Sequence, residues 1–116
     1  MVIGLRIGLE EIDRKIVLRI DGRLDASASP ILDQKLNQLI EENHFHLVLD
    51  FSKVHYLSSA GMRVLLSATK KLRSKKGDLV LFALSEEVSE IIHLAGFDKV
   101  IPVCSSEKEA LQHMPK

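Results

Sequence analysis

The sequence predicts an α/β domain built on one mixed, mostly parallel sheet with an N-terminal antiparallel hairpin, in the element order β-β-α-β-α-β-α-β-α. Two alternating apolar stretches open the chain, and the two-residue turn between them suits only antiparallel strands. Strand-like apolar runs and helical patterns then alternate, which is typical of parallel strands joined by right-handed crossovers. The 116 residues, 46% of them hydrophobic, suit a single domain over residues 1–116.

The predicted hairpin consists of strands at residues 2–12 and 15–20. Apolar and polar residues alternate in the first strand, as expected when one face of a strand is buried. Asp13 and Arg14 supply the turn between the two strands. The segment Asp21-Gly22-Arg23 interrupts the apolar pattern, so we expect the second strand to end before it.

The first helix is expected to begin at Ser29 and Pro30, because serine is a common cap and proline fits the first helical position. Asn43 marks its end. The face toward the core is expected to consist of Ile31, Leu32, Leu36, Leu39 and Ile40. Residues 46–50 form the next strand. The short loop expected after that strand carries Ser52, Lys53 and His55.

The central helix is expected to run from about Ser59 to Ser74 and to leave through a turn at Gly77 and Asp78. Apolar residues recur in it at intervals of three and four, which predicts one buried stripe. The stripe consists of Met62, Leu65, Leu66, Thr69 and Leu72. Residues 79–84 are continuously apolar, as in a strand that is covered on both faces.

The last third of the chain predicts two helices and one strand. Ser85 is the expected cap of a third helix, and Gly96 ends it. The inward face of that helix is expected to consist of Val88, Ile91, Ile92 and Ala95. Residues 99–103 form a last strand, which Pro102 places at a sheet edge or at a strand end. Residues 106–109 then supply a capping box for a short final helix.

Composition and charge exclude several classes of function. Lysine plus arginine and aspartate plus glutamate each number 16, so the net charge is zero and no bulk attraction to nucleic acid is expected. The single cysteine, Cys104, excludes an intrachain disulfide and fits a reducing compartment. No signal-peptide pattern is apparent, and the longest apolar run is too short to span a membrane. We therefore expect a cytoplasmic protein, and the lack of heptads favours a monomer when it is free.

Enzyme chemistry has little support in the sequence. Ser59 lies at a strand–loop–helix junction, as in a hydrolase nucleophile elbow, but Leu57 stands where that motif has glycine. The scattered glycines form no phosphate-binding loop, so no nucleotide or other cofactor is expected. No zinc-site spacing occurs among the histidines, which are His44, His46, His55, His93 and His113. Only His55 is kept as a candidate partner of Ser59, because it precedes that serine closely.

A basic run at residues 70–76 has two interpretations. Its lysines and arginine would bind an acidic or phosphate-rich partner, or they form a solvated helix end where cations meet the favourable end of the dipole. The zero net charge and the lack of interleaved aromatic residues favour the solvated helix end.

Two segments carry a resemblance to a known family. The first resembles the central motif of STAS domains, in particular that of the bacterial anti-sigma-factor antagonists, and reads Asp50-Phe51-Ser52-x-Val54-x-Tyr56-Leu57-Ser58-Ser59-Ala60-Gly61-Met62-Arg63-Val64-Leu65. The second is similar to the family's Gly-x-Leu-Asp turn and reads Asp21-Gly22-Arg23-Leu24-Asp25. The resemblance covers nearly the whole chain and implies a STAS-like fold in which successive strands are adjacent.

The resemblance also implies a phosphorylated serine two residues before Gly61, which is Ser59. The family's best-known form of this motif is Asp-Ser-Ser/Thr-Gly. Here Ser58 replaces the aspartate and Ala60 replaces the second hydroxyl residue, so Ser58 is a rival acceptor. Without the resemblance, a helix cap is the preferred explanation of these serines.

The family implies a protein-binding module and not an enzyme. With Ser59 unphosphorylated, the protein is expected to sequester an anti-sigma factor that is also a serine kinase and so release a sigma factor. A serine phosphatase resets the switch. The expected partner-binding residues are Gly22, Arg23, Leu24, Asp25, His55, Ser58, Gly61, Met62 and Arg63. The alternative is a STAS scaffold in another bacterial signalling complex with its own kinase–phosphatase pair.

Overall fold

The polypeptide folds around one sheet whose strands alternate with helices. The computed structural model describes residues 4–114, in which no helix is long and apolar enough to cross a membrane. The elements are β1 (Leu5–Ile12), β2 (Lys15–Leu24), α1 (Ser29–Glu41), β3 (His46–Leu57), α2 (Ser59–Ser74), β4 (Asp78–Phe82), α3 (Glu86–Leu94), β5 (Val103–Cys104) and α4 (Glu107–His113). Residues 2–3 of the predicted first strand lie outside the described part.

The sheet has the strand order β1-β2-β3-β4-β5, so neighbours in sequence are also neighbours in space. β1 and β2 are antiparallel, and the remaining neighbours are parallel. Asp13 and Arg14 turn the hairpin with φ values of 51° and 67°. Two positive φ values are typical of the tight turn that matches the twist of a hairpin. The predicted mixed sheet with an antiparallel start is confirmed.

The helices cover the two faces of the sheet unequally. The face covered by α1, α2 and α3 carries Leu18 and Leu49 near its centre. The opposite face carries Val17 and Val48, and α4 packs on it. Side chains alternate between the faces along a strand, so the inner strands are apolar at nearly every position. This explains the continuous apolar run at β4.

The prediction that a loop follows residue 50 is wrong. β3 continues to Leu57 and β2 continues to Leu24, because the two strands stay paired beyond their expected ends. Ser52, Lys53 and His55 therefore lie on β3. The register between β2 and β3 shifts twice, and each shift leaves one more residue on β3 than on β2. Such bulges interrupt the regular alternation of side chains, which is why the sequence pattern suggested a loop.

Gly22 lies on β2 and not in a turn that ends it. Its φ is 135°, which L side chains rarely adopt, and a Cβ at this position would lie 2.3 Å from the carbonyl oxygen of Gly4. Glycine is thus required both by the backbone conformation and by the close approach of β1. The segment predicted as a break is an irregular part of the strand.

The start of α1 also differs from the prediction. The residue at the cap position is Ala28, whose side chain makes no capping hydrogen bond. An oxygen of the Asp25 carboxylate accepts a hydrogen bond from the Ala28 N–H at 2.9 Å, and the Ser29 hydroxyl donates to the Asp25 carbonyl at 2.7 Å. A turn organised by Asp25 therefore replaces the predicted serine cap. Pro30 lies in the first turn, as predicted.

The other helix boundaries agree with the sequence analysis. α2 spans the predicted residues, and Ser85 and Ser106 cap α3 and α4 by accepting hydrogen bonds at 3.2 Å from backbone N–H groups three residues later. Gly96 follows α3 with a φ of 77°, as expected for a glycine beyond a helix end. Two residues assigned to buried helix faces, Ile31 and Ala95, are exposed.

The last strand is shorter than predicted. It comprises Val103–Cys104 at one edge of the sheet and begins directly after Pro102. Phe97–Lys99 forms a 3-10 turn instead of the start of a strand. The predicted edge position is confirmed, since proline lacks the N–H that a central strand would need.

Candidate docking surface

Two strand-to-helix junctions meet at one edge of the sheet. β2 leads into α1 and β3 into α2, and the parallel pairing of the two strands places their carboxyl ends side by side. Ser58 joins the junctions, because its backbone N–H donates to the Leu24 carbonyl at 2.9 Å and its hydroxyl donates to the same oxygen at 2.8 Å. We call the exposed area around this point the docking surface; its side chains are Arg23, His55, Tyr56, Ser59 and Arg63.

The hydroxyl of Ser58 is engaged as both donor and acceptor. While donating to Leu24, it accepts a hydrogen bond from the Gly61 N–H at 3.1 Å. The backbone of Ser58 is extended, with a φ of −83° and a ψ of 168°, which is the usual conformation of a helix cap. Ser58 is therefore the cap of α2 and is half-buried.

The neighbouring serine has a different environment. Ser59 is the first residue of α2 and is exposed. Among the side-chain hydrogen bonds within residues 4–114, none involves the Ser59 hydroxyl. The first turn of a helix carries backbone N–H groups without helical partners and stabilises negative charge. Of the two serines, Ser59 has the more accessible hydroxyl.

Two of the predicted contact residues lie beneath the surface. Leu24 is 0% exposed. Gly61 is also buried, and a Cβ on it would lie 2.8 Å from Leu57 Cδ1 and 3.1 Å from the Leu24 carbonyl oxygen. The missing side chain of Gly61 thus lets α2 approach the end of β2. Both residues support the surface from below, and their expected part in partner binding stays a prediction.

Arg23 and Tyr56 face each other across β2 and β3. The guanidinium carbon of Arg23 lies 4.3 Å from the centroid of the Tyr56 ring, and both side chains are exposed. A cation–π contact at an exposed site contributes about 0.5–1 kcal/mol, so it mainly orients the two side chains. Tyr56 is absent from the predicted contact residues, although its place in the STAS-like motif was a signal that pointed to it.

His55 lies beside this pair at a bulge. The pairs Gly22–Val54 and Arg23–Tyr56 are consecutive on β2, so His55 on β3 has no partner on that strand. A bulge turns the side chain of the extra residue out of the regular alternation. His55 is accordingly exposed next to Tyr56.

The remaining predicted contacts divide between surface and core. Arg63 is exposed in the first turns of α2, whereas Met62 is half-buried and packs against the main core.

The carboxylate of Asp25 accepts hydrogen bonds from the Ala28 N–H and the Ser27 hydroxyl, and these bonds lower the pKa of Asp25 below its usual value. Asp25 therefore remains ionised while it organises the turn before α1.

The chemical groups of the docking surface can be described from its exposed side chains. His55 lies on β3 and Ser59 on α2, and within the described chain no hydrogen bond joins their side chains. Residues 4–114 contain no group of three or more His, Cys, Asp or Glu side chains placed to hold a metal ion. Arg23, Arg63 and Tyr56 belong to two residue types that are enriched at protein interfaces, and His55 and Ser59 complete the exposed set.

The basic run lies at the far end of α2 from the docking surface. Within it, Lys71 donates to the Asn37 side chain at 2.8 Å, and Arg73 donates to the Val100 carbonyl at 2.6 Å. Arg73 also forms an ion pair with Asp78 at 3.3 Å. Cations in the last turn meet the negative end of the helix dipole, which agrees with the interpretation of a solvated helix end.

Comparison with known sequences identifies the family. Residues 6–110 match the family model of the STAS domain. The chain is 30% identical to BtrV of Bordetella bronchiseptica over 106 residues, 91% of each protein. It is 31% identical to the anti-sigma-F factor antagonist RsfB of Mycobacterium tuberculosis over 96 residues, 82% of this chain and 77% of RsfB.

Solved structures agree with the fold. The crystal structure of an anti-sigma factor antagonist from Mycobacterium paratuberculosis matches with a TM-score of 0.87 at 27% identity, over 95% of this chain and 93% of that one. The phosphorylated form of the Bacillus cell fate determinant SpoIIAA shares the fold, with a TM-score of 0.72 at 21% identity over 93% of this chain and 98% of SpoIIAA. From the matched residues and from the sheet order, the chain belongs to the STAS domain family.

Proposed function

We propose that the protein is an anti-sigma factor antagonist that works by phosphorylation-controlled binding. With Ser59 unmodified, it captures an anti-sigma factor that is also a serine kinase, and a sigma factor is released. The kinase phosphorylates Ser59, and a serine phosphatase restores the binding form. The observation that carries the proposal is the exposed Ser59 at the start of α2, in a chain whose relative RsfB is named an anti-sigma-F factor antagonist.

The contrast between the two serines supports Ser59 as the acceptor. A kinase needs a hydroxyl that reaches its active site, and Ser59 is exposed. Phosphorylation of Ser58 would instead break its hydrogen bond to Leu24 and disturb the cap of α2. Loss of a cap destabilises a helix by about 1 kcal/mol. The chain therefore offers one serine for modification and one for structure.

The negative charge of a phosphate on Ser59 would control the affinity for the partner. A phosphate adds a charge of about −1.5 to −2. The helix N-terminus stabilises that charge, so the domain keeps its fold. A partner docked over Ser59 must remove water from the phosphate or accommodate its charge, which weakens the complex. A mismatch of about 3 kcal/mol reduces affinity more than a hundredfold.

In this proposal the protein is a substrate of enzymes and not itself an enzyme, and it acts in the cytoplasm, where kinase and phosphatase have access to it. The contacts proposed for the partner are the exposed side chains of the docking surface, with Asp25 and Gly22 shaping its border. Arg23 and Tyr56 form the most ordered part of it, because each side chain restrains the other.

Affinity capture from the native cells tests the proposal, with wild-type protein, Ser59→Ala and Ser59→Asp as matched baits. We expect wild type and Ser59→Ala to retain the same kinase-like protein and Ser59→Asp to retain at least tenfold less of it. Phosphatase-sensitive phosphate on Ser59, detected by peptide mass spectrometry of the native protein, is the second expected result. Equal capture by all three baits, with no phosphate under any growth condition, would refute the switch.

The captured partner also decides between sigma-factor control and the scaffold alternative. A partner that itself binds a sigma factor supports the proposal. A partner from another signalling complex, with the same Ser59 dependence, would support the scaffold. A serine-reactive probe that labels Ser59 only in the folded protein would instead favour an enzyme in which His55 acts with Ser59.

A further inference from the structure

β1 forms one border of the sheet and exposes apolar side chains. It pairs with β2 along its eight residues, and no other strand within residues 4–114 pairs with its outer edge. Leu9 is 44% exposed. Ile31 of α1, 51% exposed, lines a groove with Leu5 and Ile7 of β1. An uncovered edge of this length is a template for pairing with another strand.

We propose that β1 pairs in antiparallel fashion with β1 of a second copy, so that two sheets join into one across a twofold axis. Symmetry restricts how the two strands align. Along an antiparallel pair of strands, facing residues alternate between hydrogen-bonded and non-hydrogen-bonded pairs. A twofold axis can exchange only pairs of the same kind, and two adjacent pairs are always of different kinds. The axis must therefore pass through a residue that faces its own copy. Near the middle of β1 the candidates are Ile7, Gly8 and Leu9.

The alignment centred on Gly8 pairs opposite charges, although it also sets Leu5 against Glu11 of the second copy near the strand ends. Arg6 then faces Glu10 of the second copy, and Ile7 faces Leu9 of the second copy, with each pair occurring twice by symmetry. The ion pairs lie on one face of the sheet and the apolar pairs on the other, because side chains alternate along the strand. Opposite charges and apolar pairs directly across strands both stabilise a sheet.

The neighbouring alignments lack this match. With Ile7 on the axis, Arg6 would face Gly8 and Glu10 would face Gly4, so neither charge is paired. With Leu9 on the axis, Glu10 would face Gly8 and Arg6 would face Ile12, so again neither charge is paired. Of the three alignments, only the one centred on Gly8 pairs Arg6 with Glu10, and this charge pairing is the reason to prefer it.

The charged groups are available for these contacts. Arg6 is exposed, and within residues 4–114 it has no ion-pair partner. Glu10 uses the same oxygen, Oε1, for both of its contacts to Arg19, at 2.9 and 2.8 Å, and so leaves Oε2 open. The two copies therefore bring unused groups together.

The dimer leaves both docking surfaces open. The twofold axis makes the strands of the second copy run opposite to those of the first. The two docking surfaces, which lie at the carboxyl ends of β2 and β3, are therefore at opposite ends of the joined sheet. Dimerisation is thus separate from the proposed phosphorylation switch, and it replaces the monomer that the sequence suggested. A dimer presents two copies of the docking surface to partners.

Charge reversal in trans tests the dimer. Arg6→Glu sets a new carboxylate against Glu10 at both symmetric positions, and Glu10→Arg likewise sets a new guanidinium against Arg6. Glu10→Arg also breaks the ion pair with Arg19 of its own chain, so recovery of association in the mixture is the decisive result. Each variant alone should therefore dimerise roughly tenfold more weakly or worse in sedimentation velocity. An equimolar mixture of the two variants regains both ion pairs in a heterodimer and should recover the wild-type association. Lys70→Glu, an equal charge change at an exposed helix position, should have no effect.

A cysteine at the axis provides an independent test. Gly8→Cys in a Cys104→Ser background places two thiols across the axis, and an added Cβ at Gly8 meets Arg19 Cβ at an ordinary 3.6 Å, so folding is expected. A short bis-maleimide should cross-link two copies of this variant far faster than two copies of an Ile12→Cys control in the same background. The proposal is overturned if the wild type stays monomeric at high concentration, if the mixture fails to recover association, or if the control joins equally fast.

Discussion

At the scale of single residues, Ser58 and Ser59 are adjacent in sequence but have different environments. Ser58 forms hydrogen bonds to Leu24 and Gly61, whereas Ser59 is exposed at the start of α2. This geometry explains why Ser58 can stand where the STAS motif usually has aspartate. Both residue types are good helix caps, so the replacement keeps the capping oxygen.

Ser58→Ala should lower the free energy of unfolding by about 1–2 kcal/mol, because the Gly61 N–H loses its acceptor and the cap is lost. Urea denaturation measures this change. Ser59→Ala is the matched control and should alter stability by less than about 0.5 kcal/mol, since the side chain is exposed. Equal losses in the two variants would contradict the assignment of Ser58 as the cap.

Gly61→Ala should also destabilise the domain. Alanine in place of glycine favours a helix by roughly 0.5–1 kcal/mol. Against this, the new Cβ would lie 2.8 Å from Leu57 Cδ1 and 3.1 Å from the Leu24 carbonyl, and overpacking of this kind costs about 1–3 kcal/mol. We expect a net loss of about 1 kcal/mol in urea denaturation. A stabilised variant would show that the contact between α2 and the end of β2 is looser than the structure indicates.

At the scale of elements, Arg19 of β2 ties three neighbours together. It bonds to Glu10 of β1, Asp50 of β3 and Glu107 of α4. Burial alone would raise the pKa of Asp50, but hydrogen bonds from Ser52 and the ion pair with Arg19 outweigh it and hold the pKa below its usual value. The hydrogen bond to Glu107 contributes most to raising the pKa of Arg19.

Stability should therefore depend on pH through Asp50. A carboxyl group whose pKa is lowered by folding stabilises the protein above its unfolded pKa of about 4, and the effect is lost as pH falls through the folded value. Asp50→Asn should cost about 1–2 kcal/mol near pH 7 in urea denaturation, and the difference from wild type should shrink below about pH 4. Glu41→Gln, at an exposed position, is the control. A difference independent of pH would count against the ion pair.

The helices and strands also show which element boundaries can be predicted from the sequence and which cannot. Helices with a regular apolar period and a serine cap, such as α2 and α3, were predicted with their ends because the signals are local. β2 and β3 were cut short, because their bulged ends are held by pairing with each other and local alternation does not report such pairing. The same bulges place His55 and Tyr56 beside Arg23, so this part of the docking surface could not be derived from periodicity.

The candidate site rests on a different kind of signal. The STAS-like motif points to Ser59 and the first turn of α2 without any information on which side chains are exposed. Burial then separates Leu24 and Gly61, which lie below the surface, from Arg23 and Arg63, which are open to solvent. Burial depends on the packing of α2 against the end of β2, a contact between residues more than thirty positions apart in the chain.

At the scale of the whole molecule, the proposed switch requires that a negative charge on Ser59 change binding and leave the fold intact. Helix N-termini favour negative charge by about 0.3–1 kcal/mol, so Ser59→Asp should unfold at the same or a slightly higher urea concentration than wild type. Ser59→Lys is the matched opposite and should be destabilised by a similar amount, and both effects should diminish in high salt. If Ser59→Asp instead lost more than about 1 kcal/mol, a weaker complex would be explained by unfolding and not by electrostatic mismatch at the docking surface.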